Sequence, residues 1–565
     1  MNDKIHSQKK NIIIASVMVI LFFNFTVFLF APLELYFTNI DSFVFNIYDF
    51  LPYSLVMFTI SSVVMTGVYL VLYRFLHRVA VFLFAIGTAI AFAFYIQGNF
   101  LLTNYGQLDG QPIDWSKYRI PGVISVCLWI LFLGVCLFAV KKWGIEKFTK
   151  AAGTVAVCVI LVQTITLVMV AITKNGFSSK EKYVVTDENE FCYSKNQNFT
   201  IVLMDAFDSR VFTDLLNSTE GQKYREILKD FTYYQNTMTT FNLTDFSIPQ
   251  IVTGEKYLNE TTYGEYLDQA YLNSSFLTQL QEQQYDLNLY TPITIPQGES
   301  TQLFSNWKYM KTSVSSHKRM LVYLYKLVGF RYLPQPLKQT CWFYSDDMND
   351  LQVAASLKDK NGSDVANYDW SNKMFYDSIP FVTTDSEQNS YHFYHLKGLH
   401  VIRLLDENMN EIEEQTTLDV TAKAMMKMMD TYLSKLKEEG VYDNNVIIFM
   451  ADHAANEYEE KQYKQCPLLL IKGINASHDF DISTAPVSYE DLQEAYKRLL
   501  KGADGAELFD AKEGEKRTRY LYQADWTGGA LQEDSYSTDF VEFSSDQNAF
   551  DSAAIQPTGK VFEKK

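Results

Sequence analysis

The chain has 565 residues and a net charge of −17, which is too long for one ordinary domain and predicts two or three units. Residues 1–174 carry 12 Lys/Arg against 7 Asp/Glu, which leaves −22 on residues 175–565. A region that acidic repels nucleic acid and anionic headgroups, so a nucleic-acid role is excluded.

Five apolar stretches come first, at roughly 11–31, 54–76, 79–98, 121–140 and 151–172. Each is about long enough to span a membrane at ~20 residues. The first follows MNDKIHSQKK; its apolar core is too long for a signal peptide and no cleavage site is evident, so it reads as a retained helix. Nine basic residues fall on one side: Lys4, Lys9, Lys10, Arg74, Arg78, Lys141, Lys142, Lys147 and Lys150. The other side has only Lys117 and Arg119 in its short loops. The positive-inside rule then places everything after 172 outside the cytoplasm. Four spans plus one buried core segment is the alternative, because the joint between the second and third stretches is very short. The aromatic-rich residues 33–49 read as an outer interfacial stretch, with Glu34 and Asp41 as solvated loop residues.

Residues 175–197 are polar and read as a linker. NFTIVLM, 198–204, is an almost unbroken apolar run, the pattern of a parallel strand buried on both faces. Asp205 follows it, at the edge where open α/β sheets bind ligands; it reads as a metal ligand or a turn residue. In TFNLTDFSIPQIVTG, 240–254, Thr244 is expected to start or cap a short helix, where exposed N–H groups and the helix dipole favour an alkoxide or a phosphate. An ordinary N-cap is the other reading.

Residues 421–440 have helical spacing at Met425, Met429, Tyr432, Leu433 and Leu436, which predicts a core-packed helix ended by Gly440. NNVIIFM then predicts a second buried strand, running into Asp452 and His453. That pair offers one hard oxygen and one nitrogen ligand; alone it also fits a surface turn. Cys192, Cys341 and Cys466 are odd in number and lack CxxC spacing, so no disulfide framework is expected.

Together these pieces resemble the alkaline phosphatase/sulfatase superfamily. Asp205 matches the acid after the first strand. Thr244, Ser247 and Pro249 match the nucleophile motif of the phosphoethanolamine transferases, and Thr253-Gly254 the closing pair of the sulfatase motif. Asp452-His453 match the late Asp-His pair, and QCPLLLIKG the strand after it. YHLKGLH, 394–400, resembles the transferases' segment ending in a phosphate-facing histidine, here His400, with His395 structural or supporting. The stretch AANEYEEKQYKQ lacks the histidine that the lipid-modifying transferases carry after the pair; Glu457 and Tyr458 are weak substitutes for it. The second Asp of many sulfatases, beside the first, is also absent; Asp208 lies three residues on with no role assigned.

The resemblance implies a fold of five transmembrane helices followed by an α/β extracytoplasmic domain of alkaline phosphatase/sulfatase type. Expected units are a membrane region 1–174, a linker 175–197, a catalytic domain 198–505 and a C-terminal segment 506–565 packed on it. It further implies one divalent ion, with Mn2+ preferred and Mg2+ or Zn2+ possible, on Asp205, Thr244, Asp452 and His453. Thr244 is the expected nucleophile and His400 its phosphoryl-facing partner. Threonine cannot be oxidised to formylglycine, so phosphoryl rather than sulfuryl chemistry is expected. The expected reaction moves phosphoglycerol or phosphoethanolamine from a membrane phospholipid to an envelope polymer or glycolipid. The rival readings are a phosphodiesterase using water and an inactive scaffold. A glycosylation sequon at Asn242-Leu-Thr244 would obstruct the nucleophile, which favours a bacterial plasma membrane.

Overall fold

The computed structural model describes residues 2–564 except 41–42, 44, 106–112, 175, 178–180, 297, 344–347, 349–350, 355–356, 359–363, 366, 456–462 and 525–538. The chain forms two compact units: Met1–Lys180 with Lys311–Val353, and Glu181–Met310 with Ala354–Lys565.

The first unit is helical. Its elements are α1 (Asn2–Phe25), a π-helical turn (Thr26–Phe30), α2 (Ala31–Thr38), α3 (Ile47–Phe75), α4 (His77–Phe100) and α5 (Arg119–Thr173). Among the described residues, four stretches are long and apolar enough to cross a membrane: Lys9–Thr38, Ile47–Phe75, His77–Phe100 and Trp115–Thr173. The short joint between the second and third apolar stretches is the single residue Leu76. The fourth and fifth lie on one element, α5, interrupted at Gly144 with φ +74° and ψ 163°. That backbone is not helical, and only glycine adopts it without a side-chain penalty. Inside the unit, polar groups pair across helices, as Gln163 with Thr26 at 3.0 Å and Ser16 with Tyr69 at 2.8 Å, because a buried polar group needs a partner.

Two sequence expectations change here. Glu34 is not a solvated loop residue: it sits on α2, 8% exposed, and receives a hydrogen bond from Arg331 at 2.8 Å. Asp41 lies outside the described residues. Nor is the span 198–505 one continuous body, since 311–353 belongs with the helices. Its helix His317–Tyr332 buries Met320, Leu324, Val328 and Tyr332, one stripe at i, i+4, i+8 and i+12. Tyr332 stacks on Phe94 at 5.0 Å, and Tyr325 meets Ser54 at 3.2 Å.

The second unit is built on a seven-stranded sheet. Its strands are β1 (Asn198–Met204), β2 (Thr232–Tyr234), β3 (Asp286–Tyr290), β4 (Ser390–Leu396), β5 (Asn445–Met450), β6 (Leu469–Lys472) and β7 (Asp481–Ser483). Their spatial order is β7-β2-β6-β5-β1-β4-β3. β1 lies between β4 and β5, parallel to both, and every residue in these three strands is buried. Helices cover both faces, which is why the strands are apolar without alternation. On one face lies the predicted helix, observed as Leu418–Glu438, where Tyr432 meets Phe449 at 6.4 Å. Its fully buried Met425, Met429 and Leu436 each contribute about 2 kcal/mol. On the other face Phe199 packs against Phe276 and Tyr496 at 5.2 and 5.7 Å.

Residues 175–197 are not a linker throughout: Glu181–Val185 and Cys192–Ser194 are strands of this unit, the latter parallel to Thr383–Ser386. The tail adds a three-stranded antiparallel sheet, β8 (Arg519–Ala524), β9 (Phe540–Ser545) and β10 (Gln556–Phe562). It packs on the rest of the unit where Phe540 meets Phe246 at 4.8 Å.

Candidate active site

The register of the three parallel strands builds the site. Met204 pairs with Leu396, and Leu203 with both His395 and Met450. Asp205, the loop after β4 and Asp452-His453 therefore leave the sheet at one edge. That edge is where the strands' C-terminal ends open to ligands in such sheets.

Asp205, Asp452 and His453 are all buried, and one ligand atom from each lies within 4.8 Å of the others. Thr244 Oγ1 joins them, 3.2 Å from His453 Nε2 and 3.5 Å from Asp205 Oδ2. Thr244 is the first residue of its helix, Thr244–Thr253, rather than the cap. Leu243 occupies the cap and supplies no side-chain hydrogen bond. The hydroxyl is thus not spent on capping the helix and faces the acids. Asn242 and the tail hold this turn: Asn242 Oδ1 accepts from Ala524 N–H at 3.2 Å, and Thr240 O from Tyr522 N–H at 2.8 Å. Ser247 and Thr253, the other motif hydroxyls, donate to the carbonyls of Phe241 and Pro249 and stabilise the turn and helix.

The donor set fits a cation. His453 Nδ1 is 3.0 Å from the carbonyl of Ala454, so the neutral ring carries its proton there and turns the Nε2 lone pair inward. Nε2 lies 3.2 Å from Asp452 Oδ2. Two electron-rich atoms face each other in a buried site, which is repulsive unless a proton or a metal ion sits between them. Burial keeps the proton off: it pushes the His453 pKa down despite Asp452, and the charge of Lys464 adds to the effect. Asp205 Oδ1 and Asp452 Oδ2 are buried with no hydrogen-bond partner among the described residues, although such groups are almost always satisfied. Ligand atoms ~2.1 Å from a common ion stand up to ~4 Å apart, so small side-chain adjustments close the set. Asp205, Asp452, His453 and Thr244 are the residues that would hold it.

The loop after β4 is tied to the same point. Leu399 N–H donates to Asp205 O at 2.8 Å, and Asp205 N–H to Leu396 O at 3.0 Å. Gly398 has φ +54°, and a Cβ there would lie 2.4 Å from Asp205 O, so only glycine allows the approach. Asn372 clamps Gly398 with two 2.8 Å hydrogen bonds. The loop brings His400 near Asp205. Burial alone raises the Asp205 pKa, but His400 first, then His395 and His453, outweigh it and hold the carboxylate well below its usual range. His400 Nδ1 faces the Val401 carbonyl, which leaves Nε2 as its acceptor in the neutral ring.

Asp208 is not at the site. It caps the helix Ser209–Asn217 and receives two hydrogen bonds from the Arg210 side chain, at 3.0 and 2.7 Å. His395 is fully buried, with Nδ1 3.1 Å from Thr291 Oγ1 and Nε2 3.7 Å from Asp205 Oδ2. Trp370 stands over both histidines, its ring 5.3 Å from His395 and 6.1 Å from His400. Neither Thr291 nor Trp370 carried a sequence signal; each lies outside every motif, and only the fold brings it in. Lys464 lies in the stretch AANEYEEKQYKQ but carried no signal there; the fold brings its charge to bear on His453. Glu457 and Tyr458 lie outside the described residues.

No protein-family model matches the sequence, and no curated protein matches it. Among solved structures the chain is similar to Ps i-CgsB in complex with k-i-k-neocarrahexaose, with TM-score 0.38 and 13% identity over 62% of this chain and 84% of that one. It is similar to the phosphonate monoester hydrolase SpPMH from Silicibacter pomeroyi, with TM-score 0.36 and 13% identity over 65% and 90% of the two chains. It is also similar to a protein in the alkaline phosphatase superfamily from Vibrio parahaemolyticus, with TM-score 0.32 and 12% identity over 68% and 85%.

Proposed function

We propose that the chain is a membrane-anchored, metal-dependent phosphotransferase of alkaline phosphatase/sulfatase type. The observation that carries this reading is the convergence of Thr244 Oγ1 with Asp205, Asp452 and His453 at one strand edge. A divalent ion, with Mn2+ preferred for a set of three oxygens and one nitrogen, supplies charge neutralisation and favours the deprotonated hydroxyl. Thr244 Oγ1 then forms a bond to the headgroup phosphorus as the bond to the diacylglycerol oxygen breaks, which leaves a phospho-threonine. His400 holds the phosphoryl oxygens or, having taken the Thr244 proton at Nε2, passes it to the leaving alcohol oxygen. In the second half an alcohol of an envelope polymer or glycolipid forms a bond to the same phosphorus as the Thr244 Oγ1–P bond breaks, and its proton returns to the Thr244 hydroxyl.

The reading includes five membrane crossings. At 55 residues, α5 would run ~80 Å as a single helix, against a hydrocarbon core of ~30 Å. The break at Gly144 divides it into two lengths that each suit one crossing. Lys141, Lys142, Lys147 and Lys150 flank that break and belong on the cytoplasmic side. The α/β unit then lies outside the plasma membrane, with its donor in the outer leaflet.

The test is to incubate full-length protein with Mn2+ and headgroup-labelled phosphatidylglycerol or phosphatidylethanolamine, with and without envelope glycolipids. Transfer yields diacylglycerol and label on Thr244 or on the acceptor. Free headgroup phosphate released equally fast without any acceptor assigns hydrolysis instead.

A further inference from the structure

We infer that the segment 315–343 is a docking element for the anionic phosphate headgroups of the phospholipid surface. The inference rests on the reading of the helical unit as membrane-embedded. Residues 175–565 as a whole carry −22, yet residues 315–343 contain five Lys/Arg and no Asp or Glu. The segment belongs to the helical unit, seated at one end of it. It touches α2 at Glu34, α3 at Ser54, the last turn of α4 at Gly98 and the residue before α5 at Tyr118. These are the ends opposite those that carry Lys9, Lys10, Arg74, Arg78 and the lysines around Gly144.

Two of the five cations hold the segment in place. Arg331 bonds Glu34 Oε1 and the Gly98 carbonyl, and Lys338 donates to the Arg331 carbonyl at 3.0 Å. The others stand on the far side of the helix His317–Tyr332 from its buried stripe. Lys318 and Arg319 are exposed, and Lys326 is half-buried between the rings of Tyr323 and Phe343, at 5.9 and 6.0 Å. Lys318 and Lys326 pair with no carboxylate among the described residues. Around them Val322 and Leu337 are 48% and 49% exposed. Cations interleaved with apolar and aromatic side chains suit a headgroup layer, with phosphate above and acyl chain below. A soluble polyanion explains the cations but not the exposed apolar residues. The acidic α/β unit would be repelled by the same surface, whereas this segment of the helical unit would be drawn to it.

The test uses full-length protein in nanodiscs containing a photoreactive phosphatidylglycerol or, in parallel, a photoreactive phosphatidylcholine. The phosphatidylglycerol adducts are expected to map to residues 317–326. In K318Q/K326Q they should fall roughly 25-fold, at about fivefold per cation near an anionic surface. Both substituted side chains lie on the outer face, and an unchanged gel-filtration profile checks folding. A K318R/K326R variant should label like wild type. The inference is overturned if phosphatidylcholine labels the segment as strongly as phosphatidylglycerol, or if K318Q/K326Q labels undiminished. Phospho-Thr244 is read on the same sample; its absence rejects the transferase reading without altering the labelling result.

Discussion

Glu34 in the helical unit and Asp452 in the α/β unit are both buried carboxylates. Glu34 is met by Arg331, a guanidinium held 2.8 Å away. Asp452 is more deeply buried, as is Asp205, and among the described residues neither has a Lys or Arg partner. Three residues past Asp205, Asp208 is also fully buried but has its own arginine. A buried charge is tolerated when it is paired. The unit that uses its buried charge for structure supplies the counter-charge from its own chain. At the strand edge the two acids are met by histidines and by no Lys or Arg among the described residues, and that difference marks the edge as a candidate cation site.

The sharpest probe leaves the charges alone. Thr244→Ala should lower turnover by roughly 10^5-fold or more, the scale of nucleophile deletions. Because Leu243 rather than Thr244 caps the helix, its stability loss should stay below ~1 kcal/mol. A variant that turns over normally would remove Thr244 from the chemistry and leave the acids as a simple cation site.

Breaking the paired charge should be costly. Arg331→Met leaves Glu34 buried alone and is expected to destabilise the helical unit by about 3–5 kcal/mol. Adding Glu34→Gln should recover most of that, as read in denaturant unfolding of the detergent-solubilised protein. An additive double mutant would show that the two do not act as a pair.

A third kind of buried ionisable group sharpens the contrast, one kept neutral. His392 is fully buried, its Nε2 3.2 Å from the Asn189 carbonyl, and burial lowers its pKa to about 4. The unfolded ring holds its proton below about pH 6.5 and the folded ring only below about 4. Between those values the unfolded state binds more protons. Stability is therefore full above pH 6.5 and falls as pH drops toward 4, by about 3 kcal/mol. His392→Phe should flatten that slope in unfolding curves of the full chain; a slope unchanged by the substitution would assign it to another group.

The smallest expected effect concerns the site acids. At a hundred times its Kd, Mn2+ should stabilise the protein by about 3 kcal/mol, reversibly with chelator. Asp452→Asn should abolish that gain and raise the midpoint of chelator-treated protein, because it removes uncompensated buried charge. A lower midpoint in that variant would mean that Asp452 is needed by the fold, and the comparison with Glu34 would collapse.

Much of the site was legible in the chain because its signals are local. A strand buried on both faces must be apolar throughout, so 198–204 and 445–450 announced themselves, and the acids that end them marked the edge. Thr244, Asp205, Asp452 and His453 come together as their motifs implied, although Thr244 starts the helix rather than capping it. His400 was carried by a resemblance to a segment whose glycine has a physical reason, the 2.4 Å approach of a Gly398 Cβ to Asp205 O. What the tertiary structure alone decided is everything that depends on long separations. The stripe at Met320, Leu324, Val328 and Tyr332 predicts a helix, but helical period says nothing about which unit buries it. Glu34 and Arg331 are 297 residues apart, so each reads alone as an exposed charge. Thr291 reaches His395 only through the parallel register of β3 against β4, and Trp370 only because its carbonyl accepts a hydrogen bond from Lys397 N–H just past β4. Local pattern determines which face of an element is apolar; its partner is set by the packing of the whole chain.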